Sequence, residues 1–397
     1  MPDTHAEVIR DGDGVARLAE HVRRVGTMAI DFEFLWERTY APHPCLVQVA
    51  VEDQVLLVDP LEGAPLEPLA ELVADPAILT IMHAPSADLT LLGMKFDTRP
   101  TNLVDVQLTA GFVGLGSGQG LSVLLDRVLR VRLDKGEQYT DWSRRPLSER
   151  QLRYAEADVS HLHELWARLR ERAGDLGRLD WVDEEHERRY GPEARFTPDP
   201  DEAWRKVKGQ GKLTAKDRAV LQQLARWREL EALRRDRPAA WIVPDRTLLE
   251  VARRRPTSAD RLTQERGLPE RLRASDLQGM LQAIRVGVEN EPIAMPSSLP
   301  AELQGRLDAL VGLGQILVSS RAAEVDLAPS LLATRDDVEN YLAQAIGGRD
   351  GLNSPLAHGW RHKLAGAPLL DLAAGRIALA AADTRPYLRE IPRRPED

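Results

Sequence analysis

Two acids at alternate positions of an apolar run are the first residues in this chain whose spacing suggests chemistry. Asp31 and Glu33 lie in the strand-like segment VGTMAIDFEF (25–34), and a strand turns residues i and i+2 to the same face. A carboxylate pair at the end of a hydrophobic strand is costly unless it is solvated, hydrogen-bonded or bound to cations. Asp88 follows a second strand-like run, AILTIMH (77–83), near the start of a helix. Tyr154 and Asp158 stand four apart on an amphipathic segment and therefore share one helix face. Taken singly, each has a plainer reading: an exposed strand end, an acid favouring the positive end of a helix, an ordinary helix pair. Taken together they are four acids from three elements, plus a phenol. A two-metal phosphodiesterase uses that inventory, with hard oxygen donors for divalent cations and a hydroxyl to orient water. The residues alone carry the reading no further than a hydrolase.

The elements that must position these groups read as an α/β module over residues 1–180. Strands are expected at 25–34, 45–50 (CLVQVA), 54–60 (QVLLVDP), 77–83 and 103–105, with a hairpin joining the second and third. Helices are expected at 66–76, stopped near Pro76, and at 86–94. A long helix is expected from Leu147 to Arg172, with Leu152, Ala155, Val159, Leu162 and Trp166 as its apolar stripe. Residues 181–200, acidic and proline-containing, read as a linker or a peripheral brace. Residues 201–290 are helical in pattern, with Val220, Leu224 and Trp227 on one side of 215–235. A proline-containing linker (290–300) leads to a second helical unit at 296–380, and 381–397 reads as a tail. The α/β module is expected to fold without the rest.

Composition narrows the setting. The chain has 397 residues, 43% hydrophobic and 29% charged, which is ordinary globular usage and enough for two or three domains. A single cysteine, Cys45, excludes a disulfide framework and a cysteine metal cluster, and it fits a reducing, cytoplasmic setting. No apolar run of about 18 residues occurs, and residues 1–25 hold no signal-peptide core, so no membrane role is expected. The net charge of −9 argues at first against nucleic acid. Its distribution reverses that. Residues 1–180 carry 19 Lys+Arg against 29 Asp+Glu, a net of −10, whereas residues 201–256 carry 15 against 8, a net of +7. Carboxylates for cations and a separate basic surface for phosphates are what a metal-dependent nuclease needs.

At these residues the sequence resembles the ribonuclease D family, within the exonucleases that use four acidic ligands and a tyrosine. AIDFEFLWERTYAPHPCLVQVA carries the first motif, with Asp31 and Glu33 as the first two metal-binding acids. IMHAPSADLTLL carries the second, with Asp88 as the third. RPLSERQLRYAEADVSHLHEL carries the last, with Tyr154 as the catalytic tyrosine and Asp158 as the fourth acid. NLVDVQLTAGFVG, GLSVLL and DKGEQYTDWSRRPLS are similar to intervening family segments, and Asp105 is expected to support the site without being a ligand. Phe32 departs from the small hydroxyl residue usual between the first two acids. It points away from both, so the ligand set survives. His83, His161 and His163 have no role in the family pattern and are expected to be structural.

The resemblance extends to most of the chain. Residues 201–290 resemble an HRDC domain and 296–380 a second, divergent HRDC-like helical domain, following a ribonuclease H-like α/β exonuclease fold with a mixed sheet. Within the HRDC segment Trp204, Trp227 and Trp241 are expected in the core. Lys206, Lys208, Lys212, Arg253, Arg254 and Arg255 are expected to contact the nucleic-acid backbone. The resemblance implies two divalent ions, Mg2+ or Mn2+, and 3'→5' hydrolysis of RNA with release of nucleoside 5'-monophosphates. It implies an RNA partner with a single-stranded 3' tail, such as a tRNA precursor, and no obligate protein partner. A DNA 3'→5' exonuclease acting in repair uses the same carboxylate chemistry and differs in ignoring the 2'-hydroxyl. A non-catalytic nucleic-acid scaffold would bind without releasing mononucleotides.

Overall fold

The computed structural model describes residues 6–133, 140–294, 300–348, 352–386 and 388–393. DKGEQY (134–139) of the expected family segment, residues 295–299 of the expected linker and 394–397 of the expected tail lie outside the described residues. Six strands form one mixed sheet: β1 (Glu7–Ile9), β2 (Thr27–Leu35), β3 (His43–Val51), β4 (Gln54–Val58), β5 (Leu79–Met82) and β6 (Leu103–Asp105), in the order β1-β4-β3-β2-β5-β6. The meander β2-β3-β4 is antiparallel, as its short Glu52-Asp53 connection requires. β5 and β6 add in parallel beside β2, and β1 pairs in parallel with β4 at the other edge.

Helices α1 (Gly12–Val25), α2 (Glu67–Ala74), α3 (Ser86–Phe96), α4 (Val106–Phe112), α5 (Leu121–Val128), α6 (Glu149–Ser160) and α7 (Leu162–Asp175) cover this sheet. Helix α1 had no counterpart in the sequence reading. Asp11 caps its start by accepting from the Gly14 N–H, Gly26 ends it at φ 79°, and Val15, Leu18 and Val22 bury its inner face. The single helix expected from Leu147 to Arg172 is broken at His161. The Ser160 hydroxyl there bonds back to the Glu156 carbonyl, and α7 restarts with Leu165 N–H bonded to the His161 carbonyl. The apolar stripe continues across the break, with Ala155, Val159, Leu162 and Leu165 all buried.

The first half of residues 181–200, read from sequence as a linker or brace, belongs to a helix, α8 (Leu179–Tyr190). Val182, Glu185, His186 and Tyr190 are buried along it, and its other acids, Asp180, Asp183, Glu184 and Glu187, lie on the outward face. Helices α9 (Ala215–Arg235), α10 (Ala239–Ile242), α11 (Asp245–Arg254), α12 (Ala259–Thr263) and α13 (Ala274–Glu289) then build a unit with its own core of Val220, Leu221, Leu224, Val251 and Met280. Trp204 is buried there and Trp227 packs on the core, whereas Trp241 is 44% exposed. Placing Trp241 in the core was therefore wrong: α10 is a four-residue helix that buries Ile242 and turns Trp241 outward.

Helices α14 (Ala301–Glu324), α15 (Pro329–Leu332), α16 (Arg335–Ile346), α17 (Gly359–Arg361) and α18 (Ala367–Ala373) pack their core directly onto that of the sheet module. The ring of Trp360 stacks on Trp181 at 4.8 Å and meets Phe112 edge-on at 5.7 Å. Arg178 donates to the Phe112 carbonyl at 2.6 Å and to that of Val325, and buried Glu185 of α8 pairs with Arg361. The tail expected at 381–397 is folded back in part: β7 (Ile377–Ala381) pairs antiparallel with β8 (Leu388–Pro392), tied to α14 by Arg321–Glu390.

These contacts lead us to propose, against the expectation, that the α/β module does not stand alone. A chain ending at residue 199 would expose the surface that Leu331 and Trp360 cover and leave Glu185 without Arg361. It should be insoluble or melt well below the full chain. Residues 201–294 alone should unfold cooperatively. Thermal unfolding of the two fragments checks this, and a 1–199 fragment as stable as the full chain would refute it.

Candidate active site

Strand β2 presents Asp31 and Glu33 on one face, and Phe32 between them is buried in the core on the other, as expected. The β2/β3 register shifts just after Glu33, between Glu33 and Phe34, a bulge that turns the strand end away from regular pairing. Asp158 reaches the same place from α6. Oxygens of Asp31, Glu33 and Asp158 lie within 4.8 Å of one another, and all three residues are half-buried. Asp88, in the first turn of α3, is buried; it lies outside that group of three but close enough to feel the charge of Asp31. Tyr154, one turn before Asp158, turns its hydroxyl towards that carboxylate, and each shifts the other's pKa. Its ring packs against buried Trp142 at 6.1 Å.

The position of α6 is enforced from below. Arg145 forms a bidentate pair with buried Asp59 at 2.6 Å for both bonds, and also donates to the carbonyls of Cys45 and Trp142. Three residues later Ser148 and Gln151 form a capping box that starts the helix. Ala155 then packs against Leu46 and Leu57 of the sheet.

Electrostatics shows how much this arrangement costs. Burial pushes the Asp31 carboxyl up to about 7, against a smaller opposing effect from the Phe32 backbone hydrogen bond. Burial and then repulsion from Asp31 and Asp158 lift Glu33 to about 9. Asp158 rises to about 8 through burial and then Asp31, with the Tyr154 hydroxyl pulling the other way. Asp88 is held well above the usual carboxylate range by burial first and by Asp31 second. Two like charges at this separation repel by roughly 3–4 kcal/mol at an effective dielectric of about 20. Among the described residues none of the four acids has a basic partner. Tyr154 is raised above its ordinary value, by burial and then by Asp158, so its hydroxyl keeps its proton. The donor set is all oxygen, which fits a hard divalent cation. Across the strand pair, Gln48 faces Asp31 fully buried, and its side-chain amide has no partner among the protein groups.

Other candidates separate by environment. Lys206, Lys208 and Lys212 are exposed. Arg253 pairs with Glu250 at 2.9 Å, Arg254 with Glu265 at 3.6 Å and Arg255 with Asp217, so the three arginines that look available in sequence face carboxylates of their own module. His83 bonds to the Gln119 carbonyl at 3.0 Å, and burial lowers the pKa of His163. Asp105 is buried, accepts from the N–H groups of Ala84 and Gln107, and makes no ligand contact with the acidic cluster's three members. Sequence reasoning missed His186 and Tyr190, which hold Asp105 from α8. No periodic pattern marks such partners; only the apolar face of α8 could have hinted at them.

A 3'-5' exonuclease family model matches residues 6–173 and an HRDC domain model matches residues 217–284. The fold is thus that of a 3'-5' exonuclease carrying an HRDC module. Ribonuclease D of Acidiphilium cryptum is 34% identical over 388 residues, covering 97% of both chains, and that of Zymomonas mobilis is 34% identical over 382 residues, covering 94% of this chain and 95% of its own. The crystal structure of Escherichia coli RNase D, described as an exoribonuclease involved in structured RNA processing, superposes with a TM-score of 0.77 at 29% identity, covering 93% of this chain and 99% of that one. The chain belongs to the ribonuclease D family. Dependence on a divalent metal is typical of that family, and among the described residues the acidic cluster is a place that fits one.

The raised carboxyl pKa values carry a sign. Without a cation these acids bind more protons folded than unfolded, so their contribution to stability is fullest below about pH 4 and is lost as pH rises through 7 to 9. The metal-free protein should melt lower at about pH 9 than at about pH 6, and Mg2+ should raise Tm more at the higher pH. Asp31→Asn with Glu33→Gln should flatten both effects. A Mg2+ increment that ignores pH and survives the double substitution would place the cation elsewhere.

Proposed function

We propose that this chain hydrolyses phosphodiester bonds one at a time from the 3' end of single-stranded RNA tails, releasing nucleoside 5'-monophosphates, in maturation of tRNA precursors or other structured RNAs of the cytoplasm. The observation that carries the reading is the meeting of Asp31, Glu33 and Asp158, without basic partners among the described residues, beside a protonated Tyr154 in a chain of this family. On this reading Asp31, Glu33, Asp88 and Asp158 are the ligands of two Mg2+ or Mn2+ ions. When bound, such ions neutralise the phosphate and make water nucleophilic near neutral pH. The protein's own part is positional. β2 and α6 hold carboxylates at fixed separation, and the Tyr154 hydroxyl, its proton turned to Asp158, accepts from the attacking water and sets its line of approach. Tyr154 keeps its proton, so it orients the water and does not act as the base.

Chemistry then resides in residues 1–180 and tail capture in the HRDC module, 201–290, where exposed Lys206, Lys208 and Lys212 are better phosphate contacts than the paired Arg253, Arg254 and Arg255. The module of 296–380 backs the catalytic core. RNA is favoured over DNA by the full-length likeness to ribonuclease D proteins.

End-labelled RNA with a single-stranded 3' tail should be shortened stepwise only with divalent metal, and a blocked 3' end or the matching DNA should be cut poorly. Asp31→Asn and Asp158→Asn should each reduce turnover by about two orders of magnitude or more in folded protein, the scale set by other precisely placed groups. Tyr154→Phe should slow the single-turnover step while metal and RNA binding hold. Normal cleavage by all three folded variants would refute the site, and faster cleavage of DNA would replace RNA as the substrate.

A further inference from the structure

Asp88 is the one acid of the four whose position is set neither by β2 nor by α6, and the segment after α7 holds its helix at two points. The first is the turn that starts α3. Ala84 sits there at φ 55°, a conformation a residue with a Cβ rarely adopts, and its N–H donates to Asp105 Oδ1 at 2.9 Å. The same oxygen accepts from Gln107 N–H at 2.8 Å and so starts α4. The orientation of that carboxylate is fixed from α8: the Tyr190 hydroxyl donates to Oδ2 at 2.8 Å, and the Asp105 N–H donates to His186 Nε2 at 2.8 Å. The other ring nitrogen of His186 bonds to the Val182 carbonyl at 2.8 Å. All three side chains are buried. Trp166, His186, Tyr190 and Phe196 continue the contact as a run of packed rings.

The second point lies farther along α3. A Cβ placed on Gly93 would meet Thr197 Cγ2 at 3.0 Å and Phe196 Cβ at 3.8 Å, so the chain just after Tyr190 lies against the helix body. Residues 179–197 thus reach the turn before α3 through Asp105 and meet α3 itself at Gly93, with Asp88 between. They also lie beyond residue 173, where the match to the exonuclease family model ends.

We infer that Tyr190, acting through Asp105 and the Ala84 turn, is a positioning residue for Asp88, and that the segment 179–197 is the outer shell of the metal site. This inference rests on the reading of Asp88 as a ligand. A helix free to shift would withdraw Asp88 from a cation held by Asp31, Glu33 and Asp158. Removing the Tyr190 hydroxyl leaves Oδ2 of Asp105 without its donor and lets the carboxylate rotate away from the two N–H groups that define the turn. The effect belongs to metal affinity, since the contacts of Tyr190 are with Asp105, His186 and Phe196 and with none of the four acids.

The test is Mn2+ binding to the full-length protein in the absence of RNA, followed by electron paramagnetic resonance well below the melting temperature. Tyr190→Phe should weaken Mn2+ binding about tenfold or more, the usual size of an outer-shell effect, with the circular dichroism spectrum unchanged. Asp88→Asn should weaken it as well. Gly93→Ala presses a methyl group against Thr197 and should weaken binding in the same direction, and adding Thr197→Ser should restore it. That pair keeps the question answerable if Tyr190→Phe does not fold. If Asp88→Asn weakens binding while folded Tyr190→Phe lowers only Tm, or Gly93→Ala has no effect, the brace is purely structural and the inference fails. If Asp88→Asn itself binds Mn2+ normally, the ligand reading fails and the inference falls with it.

Discussion

Mutual repulsion among carboxylates is the constraint around which the first half of this protein is built. Asp31, Glu33 and Asp158 would separate if their backbones allowed it, and the fold does not allow it. Two of them share one face of a central strand. The third stands on a helix that is capped by Ser148 and Gln151, wedged onto Leu46 and Leu57 and preceded by the buried Arg145–Asp59 pair. A site held this way is strained when its carboxylates ionise and would be relieved by cations, which on the proposed reading couples metal binding and stability through the same three side chains.

The rest of the chain supports that enforced proximity unequally. The sheet module and the last helical unit share one apolar core, so the Trp360 contacts and the Glu185–Arg361 pair stand behind the acidic site. The HRDC module has its own core and meets the sheet module through polar contacts. Tyr40 donates to Glu229 at 2.7 Å, and Asp236 accepts from the N–H groups of Tyr40 and Ala41. Those contacts fall on the loop that leaves β2 shortly after Glu33. The HRDC module is therefore fastened next to the strand that carries Asp31 and Glu33.

The acids were legible in the sequence because their relations are local: i, i+2 on a strand and i, i+4 on a helix, in motifs that occur in family order. Five of the six strands and several helices of the sheet module followed from the same short periods, whereas β1, α1 and α5 had no counterpart. Partners distant in sequence left no such trace. Tyr190 reaches Asp105 across 85 positions, and α8 was obscured because the acids on its outer face dominate its composition. The break at His161 was hidden by an apolar stripe that runs through it. Arg253, Arg254 and Arg255 read as a free basic run, since the positions of Glu265 and Asp217 beside them are set only by folding. Apolar helix faces in 300–373 showed that a core exists there, without showing that it is continuous with the sheet's.

Crystals of the protein soaked in Mn2+ offer the most direct measurement of the central claim, through anomalous scattering at the manganese edge. The account predicts manganese at direct coordination distance from Asp31, Glu33 and Asp158, with Asp88 completing the site, and no comparable peak in crystals of the Asp31→Asn variant. Saturating Mn2+ that leaves these carboxylates without a peak, or that occupies another acidic patch and not this one, would contradict it.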